Sequence, residues 1–183
     1  MGTKKNKKQN NNPSVDETLA KISEMVETME QIYFKNMLWL RSYDKKLHKK
    51  LEKMANKILE DKSKEKYAVE LNKEAALDII YRKDKTFLYN CEPFIYGDDV
   101  ATEVKKSKKI AFIGTGLGTH ITSTLKELKP KKILVYEKNV QIFRCSLYVT
   151  DYETLSGISD IKFAIDSKFD ESKYDEVVKF DKY

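Results

Sequence analysis

Residues 109–139, KIAFIGTGLGTHITSTLKELKPKKILVYEKN, restrict the fold of this chain more than any other stretch. An apolar run at 110–113 leads into a turn carrying Gly114, Gly116 and Gly118. A helical segment follows and ends at Pro130, and a second apolar run at 133–136 closes on an acid, Glu137. Two parallel strands need a crossover of about a dozen residues or more, usually a helix, and such crossovers are right-handed almost without exception. The stretch therefore reads as the opening βαβ unit of a Rossmann-like, partly parallel α/β sheet.

A chain leaving a buried strand has to bend sharply, and side chains at the bend would block both positive φ and close backbone approach. The glycines answer that requirement. Thr119 is placed to cap the helix that follows. The amides freed between Gly114, Thr115, Gly116, Gly118 and Thr119 offer a site for a nucleotide or a phosphate. On that reading Gly116→Val abolishes anion binding with little loss of fold. Glu137, about twenty residues past the glycines, stands where such folds hold a ribose hydroxyl. Two departures weigh against a standard cofactor. The dinucleotide fingerprint asks for glycine three positions after Gly116, where this chain has Thr119, and S-adenosylmethionine-dependent methyltransferases usually carry an acid where this chain has Phe112. Such a turn also serves simply to join a strand to a helix, so both uses stay open.

Upstream, residues 1–13 form a basic polar tail with Lys4, Lys5, Lys7 and Lys8, a composition expected to be disordered and solvated. A helical arm is expected over 14–62. Val15, Leu19, Ile22, Val26, Met29, Tyr33, Met37 and Leu40 recur at steps of four and three on one helix face. Leu47, Leu51, Met54 and Ile58 resume the spacing after a break near Ser42, with Asp44 able to cap the second helix. The stripe suits packing on its own domain or a helical homodimer contact. Trp39, with Phe34 and Leu38 nearby, is expected to anchor the arm.

Residues 63–183 read as the Rossmann-like domain. Tyr67, Val69 and Leu71 alternate with polar or small residues. Two β-rich runs, Leu77-Asp78-Ile79-Ile80-Tyr81 and Thr86-Phe87-Leu88-Tyr89, flank the polar turn at 82–85 and predict an antiparallel hairpin beside or extending the central sheet. Pro93 and Gly97 mark a loop, after which Asp98 or Asp99 caps a short helix to about residue 106. Residues 140–147 predict a helix with positions 140, 143 and 147 toward the sheet, closed by Asp151-Tyr152. Residues 161–165 predict a third parallel strand with Asp166 at its carboxyl end, and Asp170 begins a last helical segment. Open α/β sheets bind ligands at the carboxyl ends of strands, which makes Glu137 and Asp166 the leading acidic candidates. His120 reads as a surface residue able to touch an anion. Such sheets carry about six or seven strands, so the three expected here read as a chain cut from a longer protein.

Composition narrows the function class. The formal charge of +6 is concentrated in the tail, which lacks the aromatic interleaving and folded basic face of nucleic-acid binders, so no nucleic-acid partner is expected. No apolar run is long enough for a membrane span, no signal peptide opens the sequence, and a cytoplasmic location is expected. Cys91 and Cys145 have no metal or redox spacing, and His48 and His120 stand apart from them, so no metal site is expected.

The sequence resembles the amino-terminal region of the motility accessory factor (Maf) family of bacterial proteins implicated in flagellin glycosylation. The resemblance rests on Asn36-Met37-Leu38-Trp39-Leu40, on Phe87-Leu88-Tyr89 and above all on 112–120, FIGTGLGTH; it continues through 135–139, VYEKN, and 142–147, IFRCSL. It implies a transferase that moves a nonulosonic acid, of the pseudaminic or legionaminic type, from a CMP-activated donor to serine or threonine hydroxyls of flagellin. In that family the catalytic domain, with its own glycine- and serine-rich nucleotide turn, lies downstream. No Gly-Ser-Gly-Pro-Ser motif occurs here, so no catalytic residue is carried over. The resemblance implies a module for flagellin recognition, self-association or support of the catalytic domain. The alternative from the residues alone is a nucleotide- or S-adenosylmethionine-binding enzyme fragment.

Overall fold

The computed structural model describes residues 15–182, and the tail expected at 1–13 lies outside them. The arm forms as two helices, α1 (Val15–Tyr43) and α2 (Lys45–Glu60), broken at Asp44. The Asp44 carboxylate accepts a 3.0 Å bond from the Leu47 amide, satisfying one of the donors a helix start leaves open. Its apolar stripe does not stand apart from the sheet. Leu40, Leu47 and Leu51 share one buried cluster with Ile110, Phe112, Ile133 and Val135. A fully buried leucine contributes roughly 1.5–3 kcal/mol of transfer free energy, enough for these three to fix the arm.

Asn36 completes the docking. It is fully buried; its amide donates to the carbonyls of Leu147 (2.8 Å) and Thr150 (2.7 Å), and its oxygen accepts from the Tyr152 amide at 2.9 Å. Trp39 anchors the arm as expected, stacking on Tyr43 at 4.2 Å and meeting Phe163 edge-on. Phe34 and Leu38 do not join it: they are 68% and 71% exposed.

Strands β1 (Tyr67–Leu71), β2 (Leu77–Tyr81) and β3 (Thr86–Phe87) make an antiparallel sheet of their own, in that order. The expected hairpin is present as β2 and β3, packed beside the central sheet. Residues 93–103, expected to be a loop leading into a helix capped by Asp98 or Asp99, form instead a single helix, α3 (Pro93–Glu103). Proline in a first turn loses no bond, because that amide would be unpaired anyway. The cap is Glu92, whose carboxylate accepts from the Ile95 amide at 2.7 Å. Gly97 marks a close helix contact rather than a turn, since a Cβ there would lie 2.7 Å from the Thr119 carbonyl carbon.

The central unit forms as read: β4 (Lys109–Ile113), α4 (Thr119–Leu128) and β5 (Lys132–Glu137). Next come α5 (Val140–Ser146), α6 (Tyr152–Ser156), β6 (Asp160–Ile165) and β7 (Glu176–Lys179). Asp151 does not close α5; it caps α6, accepting from the Thr154 amide at 3.0 Å. Asp170 begins a short 3-10 turn, and β7 is a fourth parallel strand that the sequence did not disclose. All four strands run parallel in the order β6-β5-β4-β7. Phe112 pairs in register with Val135 on one side and Val178 on the other. The chain therefore winds outward from β4 to β6 and returns to the far side of β4. The crevice between the carboxyl ends of β4 and β7 is the switch point where such sheets usually bind ligands.

Candidate functional site

The glycine-rich turn lies at that switch point, and the protein fills it with its own side chains. Gly114 through His120 are all buried. Gly114, Gly116 and Gly118 have φ of 87°, 47° and 80°, the left-handed region that a Cβ disfavours. The Leu117 amide donates to the Tyr89 hydroxyl at 2.7 Å, and the Leu117 carbonyl accepts from the Thr150 hydroxyl at 2.8 Å. Phe180, directly after β7, closes over Gly116, tilted against Tyr89 with ring centroids 5.0 Å apart. Burial raises the Tyr89 phenol far above its ordinary value, so it remains a neutral hydroxyl.

Tyr89 is held from below by Asp78, a fully buried acid on β2. Its carboxylate accepts from the amides of Ile79 (2.7 Å), Tyr89 (3.0 Å) and Asn90 (3.2 Å). The hairpin thus delivers one hydroxyl to the head of α4. Thr119 does not cap that helix. Gly118 occupies the cap position without a side-chain bond, and the Thr119 hydroxyl donates to the Pro93 carbonyl at 2.7 Å, tying α4 to α3.

Glu137 is 2% exposed and faces the turn. One carboxylate oxygen accepts from the Thr115 amide (2.9 Å) and hydroxyl (3.2 Å), and the other from the Asn139 amide at 2.8 Å. Asp166 lies beside it at the end of the neighbouring strand, its amide donating to the Glu137 carbonyl at 2.7 Å. Its carboxylate is exposed and pairs with Lys50 at 3.0 Å. The fold thus brings Gly114, Thr115, Gly116, Gly118, Thr119 and Glu137 together in one buried constellation. Asp166 stays outside it.

His120 is not a surface residue. It is fully buried and stacks on Phe180 at 5.5 Å, with Phe112 edge-on at 5.8 Å. Burial pushes its pKa down to about 4, so it is a neutral aromatic wall at physiological pH. Cys145 is equally enclosed, its thiol pushed up to about 12 by burial. Among the described residues no group of three or more His, Cys, Asp and Glu side chains is arranged to hold a metal, and no helix is long and apolar enough to cross a membrane.

An open cleft of about 810 Å³ lies one strand away, at the carboxyl ends of β5 and β6 beneath α2. Lys50, Lys53, Lys57 and Lys138 contribute its charge, and Met54, Tyr67, Val140 and Ile142 its apolar wall. Glu137 is the partition between the filled turn and this cleft.

A family model described as the glycosyltransferase Maf N-terminal domain matches residues 14–160, more than half of the chain. The chain belongs to this family. No curated protein and no solved structure is significantly similar to it. The match to the Maf domain takes in the arm, the hairpin, the glycine-rich turn, Glu137 and α6. Asp166 and the Phe180 that seals the turn lie beyond it.

Sequence reasoning missed Tyr89, Asp78, Phe180 and Asn36. The first three act across three separate elements, and nothing local to any of them signals that role. Sequence reasoning also passed over the lysines of α2, although positions 50, 53 and 57 fall on one helix face and that spacing could have marked them.

Proposed function

We propose that this chain is the amino-terminal, non-catalytic module of a motility accessory factor, a glycosyltransferase that moves a pseudaminic- or legionaminic-type acid from its CMP donor to flagellin. Its partners on this reading are flagellin, the catalytic domain downstream in the parent protein, and a second copy through α1. The observation that carries it is the burial of the glycine-rich turn: Tyr89 takes the Leu117 amide and Glu137 takes the Thr115 amide, so the donors a nucleotide would need are engaged internally.

The stripe on α1 supports the recognition or assembly part. Toward its carboxyl end the stripe is buried at Leu40, whereas Val26, Leu19 and Val15 are 46%, 59% and 75% exposed along the same face. An apolar face that runs off its own domain fits a further protein surface.

The test is to mix the purified chain with flagellin and the CMP-activated sugar and to read flagellin by intact mass. Unmodified flagellin, together with a complex between the chain and flagellin or the downstream domain in light scattering, is the expected result. Sugar transfer by the chain alone would refute the non-catalytic reading.

A further inference from the structure

We infer that the lysine-rich cleft beneath α2 is a binding site for a nucleoside diphosphate or a ligand built on one, distinct from the sealed glycine-rich turn. Its location is the first reason. It opens at the carboxyl ends of β5 and β6, the end of a parallel sheet where ligands bind, while the crevice at β4 and β7 is closed by Tyr89 and Phe180.

Charge is the second. Lys50 is held by the Asp166 carboxylate and the Ile165 carbonyl, at 3.0 and 2.9 Å. Lys53, Lys57 and Lys138 have no ion pair among the described residues, and both oxygens of the buried acid in the cleft lining, Glu137, accept bonds from the turn and from Asn139. Lys53 and Lys57 stand four apart on α2, a like-charge spacing that costs helix stability. Three lysines lining one concavity match a diphosphate, which lysine binds as a point charge.

The third reason is the apolar part of the lining. Tyr67, stacked on Tyr81 at 5.1 Å, lines the cleft together with Met54, Val140 and Ile142. Bases stack on aromatic side chains without sequence preference, so a diphosphate carrying a base uses both halves of the cleft, whereas a bare phosphate uses one.

Calorimetric titration of the chain with UDP and with inorganic pyrophosphate tests this. UDP is expected to bind saturably and at least about tenfold more tightly than pyrophosphate. The double variant Lys53→Glu, Lys57→Glu should weaken UDP by at least about tenfold, with unchanged circular dichroism and melting. Lys105→Glu with Lys106→Glu, beyond the far end of the sheet, should leave binding intact. Amide shifts on UDP addition should map to 50–57 and 138–142. No saturable binding, equal affinity for pyrophosphate, indifference to the α2 substitutions, or shifts confined to 114–119 would each overturn the assignment. None of these outcomes bears on whether the chain transfers sugar, which the flagellin mass assay reads separately.

Discussion

The Leu117 amide donates a 2.7 Å hydrogen bond to the Tyr89 hydroxyl, joining the antiparallel hairpin to the turn that starts α4. Both groups are buried. Tyr89→Phe keeps the ring and leaves one buried amide unpaired, which costs roughly 1–3 kcal/mol. Urea denaturation should show a lower midpoint with an unchanged slope. An unchanged midpoint would mean that water or another group replaces the phenol without loss.

Gly116 carries a second prediction, one that reverses the expectation from sequence. A Cβ at this position would collide with the Tyr89 hydroxyl and come within 2.7 Å of Phe180, on a backbone with φ of 47°. Left-handed geometry costs a non-glycine residue roughly 1–2 kcal/mol, and overpacking adds roughly 1–3 kcal/mol. Gly116→Val should therefore lower the melting temperature sharply or prevent folding. A variant that melts with the wild type would show that Phe180 yields freely.

The Asn36 side chain bonds only to backbone groups, those of Leu147 and Thr150 between α5 and α6 and that of Tyr152 at the start of α6. Asn36→Leu is close in size but leaves the Leu147 carbonyl unpaired, at roughly 1–3 kcal/mol, and removes two further buried bonds worth roughly 0.5–1.5 kcal/mol each, the Tyr152 amide and Thr150 carbonyl keeping only their 3.1 Å bond to one another. The expected loss is about 3 kcal/mol or more by denaturant titration, larger than for Leu19→Ala on the exposed part of α1. Equal losses would remove Asn36 from its docking role.

His120 gives the fold a pH dependence. Its pKa falls from 6.5 to about 4 on folding, so the unfolded chain binds the proton first. The stabilising contribution is complete above pH 6.5 and is lost as pH falls toward 4, at about 1.4 kcal/mol per pH unit. His120→Phe keeps an aromatic ring against Phe180 and removes the proton site. The difference in stability between the two proteins should change between pH 6.5 and 4 and stay flat above 7. A constant difference would place a charged imidazole in the core.

The exposed half of α1 supplies the last prediction. If the arm assembles copies, Leu19→Glu with Val26→Glu should reduce the mass in light scattering without altering the melt, because neither side chain belongs to the core. Deleting the whole helix would be uninformative, since Leu40 and Asn36 lie in the core.

The sequence by itself determined the elements whose signals are local. The 4-3 spacing of α1 and α2, the break at Asp44, the hairpin at 77–89 and the β4-α4-β5 unit each follow from periodicity or turn chemistry within a few residues. It also brought Gly114 to Thr119 and Glu137 into one neighbourhood. Only the tertiary structure decided what that neighbourhood contains. Glu176-Val177-Val178-Lys179 becomes a strand because β4 offers it an open edge, and Phe180 reaches Gly116 only once that pairing exists. Tyr89 likewise depends on Asp78 across the hairpin. A glycine-rich turn exposes donors in any sequence, but whether a ligand or a side chain takes them is set by contacts between residues distant in the chain, and no local pattern records those.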